Sequence, residues 1–367
     1  MEAPKQEAGS APRVAPRVAL VAASLDNVGG HGVEAALLAD VLRRDGHLVR
    51  FIPINPRFPQ GLGWVRGVPY LRTALSMVLY LPSLFALRHA DVVHVFAASY
   101  WSFLLGPVPA ILAGRLFRRR VVLHYHSGEA ADHLARWGRR VHPWLRRVDA
   151  IVVPSSCAGR VFERHGYRPR VIPNVIDLSL FHYRERSPLR PCLLSTRNLE
   201  PHYRVDQTIA AFAIVRTRYP QATLAIAGYG TEEERLWGLA AAIGAGGVTF
   251  LGRVEPQNVP KLYDDCDIFV NSSVVDNQPL PILEAFAAGT PVVSTDTGGI
   301  PEMVRHAATG LIVPAGDPGA TARAVIGLLE EPDIALQLAA TARESVKAHT
   351  WPCVRQAWAA VYAGEES

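Results

Sequence analysis

Along the chain, short aliphatic and β-branched runs alternate with longer stretches whose apolar positions recur every three to four residues. The run "RVALVAAS" (17–24) is followed by "GVEAALLADVLRRDG" (32–46), which has helical spacing and a glycine stop at Gly46. "LVRFIPI", "DVVHVF", "VVLHYH" and "AIVVPSS" then appear in turn, each separated by a stretch that reads as a helix. Strand–helix alternation of this kind predicts an α/β fold built on parallel sheet. The rhythm breaks at "VIPNVIDLSLF" and the polar, proline-containing "HYRERSPLRP" (182–191), then restarts with "CLLSTRN", "TLAIAGYG", "VTFLGRV", "DIFVNSS" and "PVVSTDTGG". Two Rossmann-like domains facing across a cleft are therefore expected.

We divide the 367 residues into a loose Ala- and Pro-rich leader (1–16), a first domain (17–185) and a second (186–349). The leader lacks the long apolar core of a signal peptide. Four scattered cysteines show no metal-type spacing and fit a reduced, cytoplasmic setting. The net charge of +5 hides an asymmetry: residues 1–190 carry 26 basic against 13 acidic residues, and residues 191–367 carry 12 against 20. The basic half holds "RLFRRR" (115–120) and "RWGRRVHPWLRR" (136–147). It suits nucleic acid, an anionic substrate, an anionic membrane surface, or simply a solvated face in an Arg-rich protein. Residues 95–114 carry no charge over twenty positions, yet two prolines and several small residues make a strand and a short helix the better reading than a membrane span. The neighbouring "LRTALSMVLYLPSLFALRH" reads as a surface helix flanked by arginine.

In a doubly wound sheet, ligands sit beyond the carboxyl ends of the strands. The loops expected there are "GGHG" (29–32), "HYHSGE" (124–129), "TRNLE" (196–200), "GYG" (228–230), "LGR" (251–253) and "DNQPLPILEAFAAG" (276–289). Within the last of these, Pro281 suits the first helical position and Gly289 the stop. Amides near Leu280 and Ile282 would then be open to a phosphate, with Glu284 one turn further in to accept from vicinal hydroxyls. Arg197 offers a planar fork of donors to a diphosphate. His31, after the Gly-Gly pair, is a candidate for contact with an acceptor. His124 is expected to pack away from the cleft that His126 faces. The pair Asp265-x-Asp267 precedes a strand rather than following one, so it reads as an acidic helix terminus and not as a metal site.

Taken in order, these segments resemble the retaining family 4 glycosyltransferases of the GT-B fold. "DNQPLPILEAFAAGTPVVSTDTGGIPEMV" matches the family's Glu-x7-Glu frame with Asp in the first position, and "VIPNVIDLSLF", "LAIAGYGTEEERL" and "FLGRVEPQNVPKLYDDCDIFVNSS" match the segments around it. The resemblance implies that Glu284 binds the ribose and Asp276 the donor-sugar hydroxyls. It further implies that Arg197 binds the diphosphate, His126 faces the sugar, Gly29 and Gly30 approach the transferring sugar, and Arg253 lies near the base or diphosphate. It also implies that "TWPCVRQAWAAVY" is a helix (350–365) returning to complete the first domain. Three departures stand out. Asp276 is shorter than the usual glutamate. Asn277, Gln278 and Pro279 replace Gly-Phe-Gly. The usual lysine after the arginine is absent, leaving Arg204 to supply the charge if it turns inward.

The implied activity is metal-independent, retaining transfer of a sugar from a UDP- or GDP-linked donor to a hydroxyl on a sugar, glycan or lipid-linked acceptor in envelope, exopolysaccharide or glycolipid synthesis. No cofactor beyond the donor and no nucleic acid is expected, and the setting is cytoplasmic, at the inner face of the membrane if the acceptor is lipid-borne. The alternative is a catalytically degenerate GT-B scaffold that binds a nucleotide sugar, a membrane or a protein partner.

Overall fold

The computed structural model describes residues 15–24, 30–244 and 246–365. Most of the proposed leader, together with Gly29, lies outside them, as does the side chain of His31. Two six-stranded parallel sheets form the molecule. The first contains β1 (Val18–Ala22), β2 (Val49–Pro53), β3 (Val92–Ala97), β4 (Arg120–Tyr125), β5 (Ala150–Val153) and β6 (Arg170–Val171), ordered β2-β1-β3-β4-β5-β6. The second contains β7 (Cys192–Ser195), β8 (Thr223–Ala227), β9 (Val248–Gly252), β10 (Ile268–Val270), β11 (Val292–Thr295) and β12 (Leu311–Val313), ordered β12-β11-β10-β7-β8-β9.

The central strands read as mostly apolar runs because helices cover both faces of each sheet, while the edge strands β2 and β9 stay partly exposed. Neighbouring residues feed opposite cores. Ala19 and Val21 enter one layer of the first sheet while Val18 and Leu20 enter the other. In the second sheet Leu193 and Val293 face one layer, and Leu194 and Val292 the other. The same period of two places His124 and His126 on one side, their ring centroids 3.9 Å apart. His124 does pack against Trp358, but it does not point away from His126.

Residues 95–114 form the end of β3 and two short helices, Tyr100–Leu105 and Pro107–Leu116. The long apolar helix lies earlier. Pro69–Ser83 runs on as a 3₁₀ turn over Leu84–His89, and Tyr70, Val78, Leu81 and Phe85 stand exposed on it. Among the described residues Tyr70–His89 is the one helical stretch long and apolar enough to cross a membrane by length and composition, and 17% of it is buried.

The last helix, Trp351–Ala363, leaves the second sheet and packs on the first. Val354, Trp358 and Val361, at helical spacing, join the layer containing Leu20 and Val122, while Tyr362 Oη meets His94 Nδ1 at 2.8 Å. Trp358 is 1% exposed and packs against His94 and His124, tilted to the first ring and edge-on to the second. Truncating so large a buried side chain leaves a cavity that rigid neighbours cannot fill. Trp358→Ala is expected to cost about 3–5 kcal/mol, read as a lowered midpoint in urea denaturation. A loss below about 1 kcal/mol would mean that the helix contributes little to the first half.

Candidate active site

Each sheet has one point where its strand order reverses, and the crevice beyond the carboxyl ends at that point is where open α/β sheets bind ligands. In the second sheet it lies between β7 and β10. Arg197 follows β7 and Asp276 follows β10, and their ion pair spans the reversal, with Arg197 Nη2 2.6 Å from Asp276 Oδ2 and side chains 7% and 11% exposed. The Arg197 guanidinium also lies 4.1 Å over the ring of Tyr203. These contacts fix the arginine before any ligand arrives, while its Nε has no hydrogen-bond partner among the described residues.

A cleft of about 540 Å³ opens here between the two halves. His126 and Gly128 line it from the first half, and Arg197, Arg253, Asp276 and Glu284 from the second. The walls approach closely: a Cβ on Gly128 would come within 3.0 Å of the Asp276 backbone. Gly298, at φ +55°, holds a backbone that a side chain disfavours, and its Cβ would collide with the Asp276 carbonyl.

Glu284 sits on the helix Leu280–Ala288, which Gly289 ends in the left-handed region at φ 71°. Tyr263 Oη donates to Glu284 Oε2 at 2.8 Å, and Thr196 Oγ1 lies 3.0 Å from the same hydroxyl. Burial pushes the Glu284 carboxyl up to about 7, against the pull of Tyr263 and Arg197. On the opposite wall, His126 Nδ1 lies 2.6 Å from Glu34 Oε2, both side chains buried. Burial draws the His126 ring down to about 3, so at neutral pH it is uncharged and its Nδ1–H donates a hydrogen bond to the Glu34 carboxylate.

Two expected ligand groups are engaged elsewhere. The amide of Ile282 bonds to the Pro279 carbonyl at 3.1 Å and Pro281 has none, so Leu280 alone of the first three helical residues offers an N–H outward. Ile282 itself is fully buried. Arg204 adopts a left-handed backbone (φ 48°) at the start of the helix Val205–Arg218 and pairs with Asp206 at 3.0 Å. It does not replace the missing lysine. Arg253 lines the cleft, its Nε 3.3 Å from Glu255. Gly30 opens the helix Gly30–Arg44 that carries Glu34.

Sequence reasoning missed Glu34, Tyr203 and Tyr263. Glu34 left a trace as a lone acid within an apolar helical stretch; the two tyrosines left none. At the far end of the sheet Asp267 is fully buried and held by Arg184 at 2.6 Å, Arg190 at 2.8 Å and Arg186 at 3.7 Å. No group of three or more metal-ligating side chains occurs among the described residues.

Residues 28–180 match the family model described as Glycosyltransferase Family 4, and residues 184–345 match Glycosyl transferases group 1. Glycogen synthase of Mycobacterium tuberculosis is 32% identical over 288 residues, covering 74% of this chain and 68% of that one. The chain belongs to the glycosyltransferases. Phosphatidyl-myo-inositol mannosyltransferase of Mycolicibacterium smegmatis is 26% identical to this glycosyltransferase over 356 residues, covering 90% and 89% of the two chains. Anabaena HepE, solved with UDP and glucose, superposes with a TM-score of 0.72 at 19% identity over 95% of this chain and 99% of its own, a likeness of GT-B fold.

The Glu284 shift gives this glycosyltransferase a pH signature. Its folded pKa of about 7 lies above the ordinary 4.5, so between those values the folded chain keeps a proton that the unfolded chain has lost. Stability therefore falls as pH rises through that window. Glu284→Gln is expected to be more stable than the wild type at pH 8, by up to about 3 kcal/mol, and equal to it near pH 4. Urea denaturation at the two pH values checks this, and a gain independent of pH would exclude a displaced carboxyl.

Proposed function

We propose that the chain is a retaining, metal-independent glycosyltransferase that moves a sugar from a nucleoside-diphosphate sugar to a hydroxyl acceptor. The observation that carries this reading is the Arg197–Asp276 pair at the strand reversal, with Glu284 one helical turn inside the same cleft. Arg197 and the Leu280 amide suit the departing diphosphate, Glu284 the ribose hydroxyls, and Asp276 a sugar hydroxyl. In the reaction the bond from the anomeric carbon to the diphosphate oxygen breaks and a bond to the acceptor oxygen forms on the same face. The acceptor proton leaves with the diphosphate. His126, neutral and oriented by Glu34, presents an uncharged polar wall to the sugar, and closure of the two halves keeps water out.

The acceptor in this reading is lipid-linked, in envelope or glycolipid synthesis at the cytoplasmic face of an anionic membrane. The support is a surface on the first half where Val78, Leu81, Phe85 and Leu116 are exposed beside Arg88, Arg115 and Arg118. Arg88 lies 3.7 Å over the Phe85 ring, and Phe85 packs edge-on against Phe117 at 5.9 Å. Apolar side chains with arginines at their border suit an interfacial helix on anionic lipid.

Thermal-shift measurements with UDP, GDP, ADP and their sugar conjugates in EDTA test the donor site. One base is expected to stabilise the wild type, by about 2.7 kcal/mol at a hundredfold its Kd, and to lose that effect in Glu284→Ala. No shift with any of them would turn the reading toward a scaffold. Pelleting with phosphatidylserine-containing vesicles is expected to be salt-sensitive and lost in a Leu81→Glu/Phe85→Glu variant. Retained binding would remove this surface as the docking face.

A further inference from the structure

The loop that follows Asp276 does more than connect it to the helix. Asn277 Oδ1 accepts the hydroxyl of Ser155 from the first half. Gln278 Oε1 accepts from Asn174 N at 2.6 Å, and the Gln278 carbonyl accepts from Asn174 Nδ2 at 2.9 Å. Asn174 belongs to the segment that crosses between the sheets. These bonds, with Glu302 accepting from Ser156 N and Arg160, hold the two halves together at the cleft's edge.

The same bonds fix which way both carboxamides point. Ser155 Oγ accepts from Ala158 N at 3.1 Å as the cap of the helix Ser156–Arg164 and donates its one proton to Asn277 Oδ1. The Gln278 carbonyl only accepts, so the amide nitrogen of Asn174 faces it. What remains is a donor, Asn277 Nδ2, and an acceptor, Asn174 Oδ1. Both are buried with no hydrogen-bond partner among the described residues. Both residues are 5% exposed and line the cleft.

Buried polar atoms left unmatched are costly, and a ligand that completes them gains by it. A diphosphate oxygen only accepts at neutral pH and would satisfy Asn277 while facing the Asn174 oxygen unfavourably. Alcohol groups can match either atom, accepting from Nδ2 and donating to Oδ1. We propose that Asn277 and Asn174 form a sugar-hydroxyl subsite that spans the two halves and is complete only when they are closed. It rests on the nucleotide-sugar reading and names the part of the donor these side chains recognise.

Titration calorimetry of the full chain with a nucleoside diphosphate, and with the nucleotide sugar on the same base, tests this. Asn277→Ala and Asn174→Ala are expected to weaken the nucleotide sugar roughly ten- to a hundredfold while leaving the diphosphate within about twofold, which also shows that the variants are folded. Ser155→Ala removes the same contact between the halves but keeps the amide nitrogen of Asn277, and is expected to preserve the preference for nucleotide sugar over diphosphate. Equal weakening of both ligands, or loss of the preference in Ser155→Ala as large as in Asn277→Ala, would overturn the subsite in favour of a purely interdomain contact. Unchanged nucleotide-sugar affinity in both asparagine variants would also overturn it. A wild type that binds neither ligand overturns the nucleotide-sugar reading itself, and the subsite with it.

Discussion

The chain has to cross between its two sheets twice, once over residues 172–184 and once on the way to the last helix, and the two crossings are tied to each other. Ile176 N bonds to the His349 carbonyl at 2.9 Å, and His349 Nδ1 lies 3.3 Å from the Asn174 carbonyl. Because of this knot the final helix reaches back to seal the first core with Trp358, and the carboxyl ends of both sheets open onto one cleft. Asn174, at the knot, is also where the Gln278 loop attaches. Rotation of one half on the other would strain these hydrogen bonds, together with the packing of Val33 on the second half's core.

Charge is used differently at the two ends of the second sheet. Beyond the amino ends, Asp267 lies under three arginines and has no capacity left for a ligand. Beyond the carboxyl ends, acid and base are matched sparingly: one arginine to Asp276, one tyrosine hydroxyl to Glu284, one carboxylate to His126. Each group is fixed in direction by a named partner. Fixed groups of this kind need little rearrangement when charge develops nearby, which is the condition for electrostatic stabilisation of a leaving group.

The alternation made ten of the twelve described strands legible, because each lies in a short, mostly apolar run set between helical stretches. Arg170–Val171 and Leu311–Val313 escaped as strands: the first is only two residues long, and pairing at a sheet edge defines both. Arg197, Asp276, Glu284 and His126 were readable because loop position after a strand is a sequence property. Pairing is not. The engagement of Ile282 with Pro279, the turn of Arg204 toward Asp206, and the partners Glu34 and Tyr263 depend on backbone geometry and on contacts between distant segments. His124 shows a different fault, since residues two apart on a strand share a face whatever their types. The departure at Asn277 and Gln278 could be noted in the sequence but not explained, because their partners Ser155 and Asn174 come from distant segments.

The uneven charge described at the outset has a mechanical meaning once the halves are seen as separate bodies. With a net +13 over residues 1–190 and −8 over residues 191–367, the molecule is a large electric dipole whose axis runs roughly from one sheet to the other. Near a negatively charged layer such a dipole experiences a torque that turns the arginine-bearing half inward before contact is made. The field reaches only about 8–10 Å at physiological ionic strength, so alignment happens in the last few water layers. Raising the salt would then change the fraction of encounters that arrive the right way round, even where the final contact is apolar.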